Sequence, residues 1–72
     1  MSNVNYREVR AGSQAWEKRV EEHATNRISF SVRPFNKELH WAFLEEVCRR
    51  HELVPRFDAR ERTAYFDPRQ EQ

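Results

Sequence analysis

Between Arg27 and Arg33 the chain alternates, with Ile28, Phe30 and Val32 on one parity and Arg27, Ser29, Ser31 and Arg33 on the other. A period of two is that of a β-strand with one buried and one wet face. Pro34 follows at once and, having no amide proton to give to a ladder, ends the strand. Asn36 can then cap a helix whose apolar positions include Leu39, Phe43, Leu44, Val47 and Cys48. The pattern predicts a strand over Arg27 to Arg33 and a helix over Lys37 to His51, whose matching apolar faces make a core.

On a helical wheel His40, Phe43, Leu44, Val47, Cys48 and His51 fall on one broad side of that helix, and Glu38, Glu45, Glu46, Arg49 and Arg50 on the other. Glu45 and Glu46 precede Arg49 and Arg50 by four residues, the favourable sense for exposed ion pairs worth a few tenths of a kcal/mol. Trp41 points to the margin of the apolar side. Upstream, Gly12 breaks the chain, Ser13 is a suitable N-cap, and Trp16, Val20, His23 and Ala24 recur at helical spacing. This predicts a short amphipathic helix from Gln14 to Ala24 that needs a surface to lie on. Residues Met1 to Gly12 fit neither period and are read as an extended arm or a short extra strand.

Downstream, Leu53 to Phe57 and Arg62 to Phe66 read as two short strands joined by a polar turn, with Pro55 pushing its strand to a sheet edge. In the last strand Ala64 and Phe66 are assigned inward, because Phe66 has no polar tip. The economical assembly is an α+β fold in which the last strand lies between the other two. This gives a three-stranded antiparallel sheet in the order first, third, second, with the crossover helix on one face and the short N-terminal helix at an end of that layer. The expected organisation is an arm over residues 1–12, one domain over 13–67 and a frayed tail over 68–72.

Seventy-two residues bury a small core, so a partner or a second copy of the chain would add needed stability. Nine aromatic residues argue for a folded chain even though 35% of it is charged. The net charge of +1 provides no global field for nucleic acid or an anionic membrane, so any such binding must use a local patch. No signal-like or membrane-spanning run is present in the sequence, and a cytoplasmic location is expected. The single cysteine, Cys48, sits among Phe43, Leu44 and Val47 and reads as a small buried hydrophobe. His40 and His51 are roughly 16 Å apart by the helical rise, too far to share an ion. One glycine in the whole chain excludes phosphate loops and dinucleotide fingerprints. No catalytic, metal or cofactor constellation is expected.

Function is therefore sought on surfaces. If Ile28, Phe30 and Val32 face the helix, the opposite sheet face carries Arg27, Arg33, Arg56 and Tyr65, with Phe35 and Trp41 as further anchors of the kind that dominate protein interfaces. A one-sided sheet shows polar residues to water in any case. The leading expectation is a non-enzymatic regulator or inhibitor that docks on a larger protein with an acidic surface. The alternative is an accessory module that places the same arginines on nucleic-acid phosphates. Met1 to Asn5, Ser29 to Val32 before a helix, and Val54-Pro55 after it resemble the small RNA polymerase inhibitors of short-tailed coliphages. That resemblance implies a three-stranded sheet with one helix, and a phage or mobile-element protein that works by occupying a host protein. The helix composition and the Trp16 helix depart from that family, and no residue role is carried across.

Overall fold

The computed structural model of the protein describes residues 5–69; residues 1–4 of the predicted arm and 70–72 of the predicted tail lie outside the described residues. Six elements follow in order: β1 (Arg7–Arg10), α1 (Trp16–Thr25), β2 (Phe30–Arg33), α2 (Lys37–His51), β3 (Leu53–Asp58) and β4 (Thr63–Pro68). The expected three-stranded antiparallel sheet is corrected. The sheet has four strands in the order β1-β2-β4-β3 and is mixed, with β1 parallel to β2 and β4 antiparallel to both β2 and β3.

The difference is β1. Only Val9 of its four residues is buried, so the segment has no alternation to read. Its identity as a strand comes from pairing, with Arg7 opposite Phe30, Val9 opposite Val32 and Arg10 opposite Arg33. A parallel neighbour has to be reached by a crossover, and α1 provides it. Gly12 at φ 86° and Ala15 at φ 60° turn the chain out of β1 into the helix. Ser13 is not the predicted cap: its hydroxyl donates to the Arg10 carbonyl oxygen, while the N-cap is Ala15, which makes no side-chain bond. β2 is also shorter than predicted, beginning at Phe30, because Arg27 takes a positive φ of 57° at the exit from α1.

The second helix has the predicted bounds. Asn36 Oδ1 accepts from the amides of Glu38 and Leu39 at 2.9 and 3.2 Å, filling two of the four donor positions a helix start leaves open. Phe30 stacks on Phe66 at 4.9 Å, and Val9, Val32, Leu44 and Val47 close around them on the helix side of the sheet. Ala64 and Phe66 are the buried residues of β4 on that side. Two apolar residues of α2 sit differently from their predicted places. Phe43 is half-buried at the rim, edge-on to Trp16 at 5.5 Å, and Leu39, in the first turn beside the cap, is 74% exposed.

Candidate functional site

Both crossovers leave one sheet face without a helix. Residues paired across a sheet share a face, so Glu8, Ser31, Tyr65 and Arg56 form one row across all four strands, opposite the Phe30–Phe66 side. Arg10 and Arg33 are paired on the same face at the end of β1 and β2.

This face is not simply wet. Tyr6, just before β1, reaches Tyr65 of β4 with ring centroids 4.9 Å apart. The strands carrying them are separated by β2, two strand spacings or about 9.5 Å, so the rings must lean together over it. They can do so because only small side chains stand there, Ser31 of β2 and Ser29 just before it, and Ser31 is 3% exposed beneath its neighbours. The Tyr6 hydroxyl donates to one oxygen of Asp67 and the Ser29 hydroxyl to the other, each at 2.8 Å. Tyr65 donates to Glu61 at 2.7 Å, and the Arg56 guanidinium lies 4.4 Å from the Tyr65 ring centre. Burial, followed by the bond to Asp67, raises the Tyr6 phenol above its ordinary pKa; for Tyr65 the bond to Glu61 has the larger part.

Charges on this face divide by use. Asp67 and Glu61 hold tyrosine hydroxyls, and Asp58 accepts from the amides of Arg60 and Glu61 in the β3–β4 turn. The ion pairs lie instead on the helix layer, where Arg49 meets Glu46, and Arg50 and His51 meet Glu21. Among the described residues no carboxylate stands within ion-pair distance of Arg10, Arg33 or Arg56.

Of the residues singled out in the sequence, Arg33, Arg56 and Tyr65 share the open face. Arg27 does not join them: it lies outside β2, and its guanidinium donates to the carbonyl oxygens of His51 and Arg69 at 2.7 and 2.9 Å. Its charge fastens the end of α2 to the end of the sheet. Phe35 and Trp41 form a separate patch on the helix side, meeting Phe57 of edge strand β3 at 5.0 and 5.2 Å. Phe57 is 46% exposed and borders a cleft of about 300 Å³ with Phe35, Lys37 and Arg62. Sequence reasoning missed Tyr6, Arg10 and Phe57 as surface anchors. The alternation Leu53, Pro55, Phe57 carried a signal for the last of these, whereas Tyr6 and Arg10 flank or end a strand that has no readable period.

Cys48 is half-buried, and burial with the nearby Glu45 charge pushes its thiol up to about 11, so it stays protonated at neutral pH. Among the described residues no group of three His, Cys, Asp or Glu side chains is placed to hold a metal ion, and no helix is long and apolar enough to cross a membrane. No family model matches this chain, and comparison with curated proteins and with solved structures finds no match.

Proposed function

We propose that this protein is a small non-enzymatic binding domain, a regulator or inhibitor that docks through its open sheet face on a larger protein with an acidic surface. The observation that carries this reading is the division of charges on that face. Of its carboxylates, Asp58, Glu61 and Asp67 are engaged in internal hydrogen bonds and Glu8 alone makes no described bond, while Arg10, Arg33 and Arg56, three cations to that one free acid, have no carboxylate partner among the described residues. Guanidinium groups grip carboxylates with two parallel bonds and are prominent among residues that dominate interfaces. The reading rests on this face and not on the phage-inhibitor resemblance, which no comparison supports.

A second reading, nucleic-acid binding, is favoured by one observation: Tyr6 beside Tyr65 puts two aromatics on the open face, where the sequence offered one. Against it, both hydroxyls are already bonded and Glu8, Asp58 and Asp67 share the face, which repels phosphates. An affinity pull-down from host cells, with and without nuclease, separates the readings. Docking predicts a defined protein that survives nuclease and is released by Arg33→Glu with Arg56→Glu, with circular dichroism unchanged. Recovery of nucleic acid alone, with binding that falls steeply as salt rises, favours the second reading.

A further inference from the structure

We infer that the corner where β1, α1 and β2 meet is a binding site for a phosphate-class dianion, held by Arg10, Arg19 and Arg33. These three residues, one from each element, line an open cleft of about 470 Å³ together with Glu8, Val9 and Pro34; Arg10 and Arg33 belong to the open face and Arg19 to the helix over the other, so the cleft sits at the rim of the sheet. Arg10 and Arg33 are register partners in the parallel pair, so their chains leave the sheet about 4.8 Å apart. Like charges directly opposite each other are unfavourable, and among the described residues no ion pair relieves these or Arg19. Three guanidinium groups against the single carboxylate of Glu8 leave the cleft with two uncompensated positive charges. A phosphate monoester at neutral pH carries about −1.5 to −2, whereas a carboxylate or a phosphodiester carries one negative charge. Planar guanidinium forks suit its oxygens.

The cleft is also fixed in shape. The Ala11 amide donates to the Arg33 carbonyl oxygen at 3.0 Å, and the Ser13 amide and hydroxyl both donate to the Arg10 carbonyl oxygen, which locks the turn that carries β1 into α1. Its volume falls within the range of about 300–1,000 Å³ usual for small-ligand sites, which leaves room for an organic group beyond the phosphate. This site shares Arg10 and Arg33 with the proposed docking face and is set apart from it by Arg19, which lies on α1.

The test is a titration of the intact protein followed by amide and arginine Nε–H NMR shifts at constant ionic strength. The probes are inorganic phosphate, glycerol phosphate and a dinucleotide with only a diester linkage, with chloride as the blank. Saturable shifts centred on Glu8 to Arg10, Arg19 and Arg33, at least about tenfold tighter for the two dianions than for the diester, support the site. Arg10→Gln and Arg19→Gln should each weaken phosphate binding about tenfold, and Arg56→Gln, outside the cleft, should leave it unchanged. Shifts matched by chloride, equal affinity for the diester, or native affinity in both cleft variants overturns the inference. Because the shift map is made on the native chain, the result does not depend on any variant folding. Partner docking that survives Arg19→Gln while phosphate binding is lost separates this site from the docking face.

Discussion

Phe30 lies inside the core and Phe43 at its rim, and truncation should report the difference. Phe30 has no exposed surface and stacks on Phe66, whereas Phe43 is half-buried against Trp16. Phe30→Ala should cost about 3–5 kcal/mol and Phe43→Ala about 1–3 kcal/mol, in a domain whose whole stability is of order 4–11 kcal/mol. Urea midpoints check the order, with Phe30→Leu as the milder probe where the alanine variant does not fold; equal midpoints for the two alanine variants would show the rim assignment of Phe43 to be wrong. Cys48 makes a second residue-scale test. A free thiol with an ordinary pKa is roughly one-quarter ionised at pH 8, while one raised to about 11 is ionised to roughly one part in a thousand. Disulfide-reagent labelling should therefore run about two orders of magnitude slower than for a free thiol and accelerate about tenfold per pH unit. Between the ordinary thiol pKa and about 11 the folded chain keeps a proton that the unfolded chain has lost, so this group's contribution to stability falls as pH rises through that window. Labelling at the free-thiol rate at pH 8 sinks this account.

At the scale of elements, legibility follows how much of an element's cause is local. α2 is written into its own residues: Pro34 stops the strand, Asn36 caps the helix, and Arg49, Arg50 and His51 occupy the last turn, where cations suit the helix dipole. Asn36→Ala should remove the acceptor of two amides and lower stability by about 1 kcal/mol, read from thermal or urea unfolding, with Asn36→Asp retaining most of it. β1 has no such local cause. Its four residues include two arginines and a glutamate, and only contact with β2 and α1 makes them a strand. The site suffered from the same gap. Tyr6 could not be set beside Tyr65, nor Arg10 beside Arg33, without the parallel pairing that no periodicity announces. Val9 is the one buried residue of β1, and replacing it by aspartate places an unpaired charge in the core. Hydrogen exchange should then show β1 amides losing protection first. Retained β1 protection in Val9→Asp would mean the strand is held by something other than this contact.

Across the whole molecule, the first and last strands of the described residues are tied together on the open face. Tyr6 and Asp67 are separated by 61 positions, yet one hydrogen bond joins them, and Ser29, just before β2, completes the bridge to the same carboxylate. The bridge runs over β2 and links the outermost parallel strand to β4, so it closes the sheet on the side that carries no helix. That gives the tyrosines a structural task and leaves the arginines as the groups available for recognition. Tyr6→Phe and Asp67→Asn should each lower stability by about 1 kcal/mol, and the double variant should fall short of the sum by about 0.5–1 kcal/mol, because both remove the same contact. Arg33→Glu should leave the unfolding midpoint within about 0.5 kcal/mol of the native value, since its side chain is exposed and makes no described bond. A double-mutant cycle in urea with Arg33→Glu as the reference measures both effects together. Strict additivity of the tyrosine and aspartate variants would mean that the bridge does not close the sheet. A large loss of stability in Arg33→Glu would move that arginine from the docking face into the scaffold, and the case for docking through this face would then rest on Arg10 and Arg56.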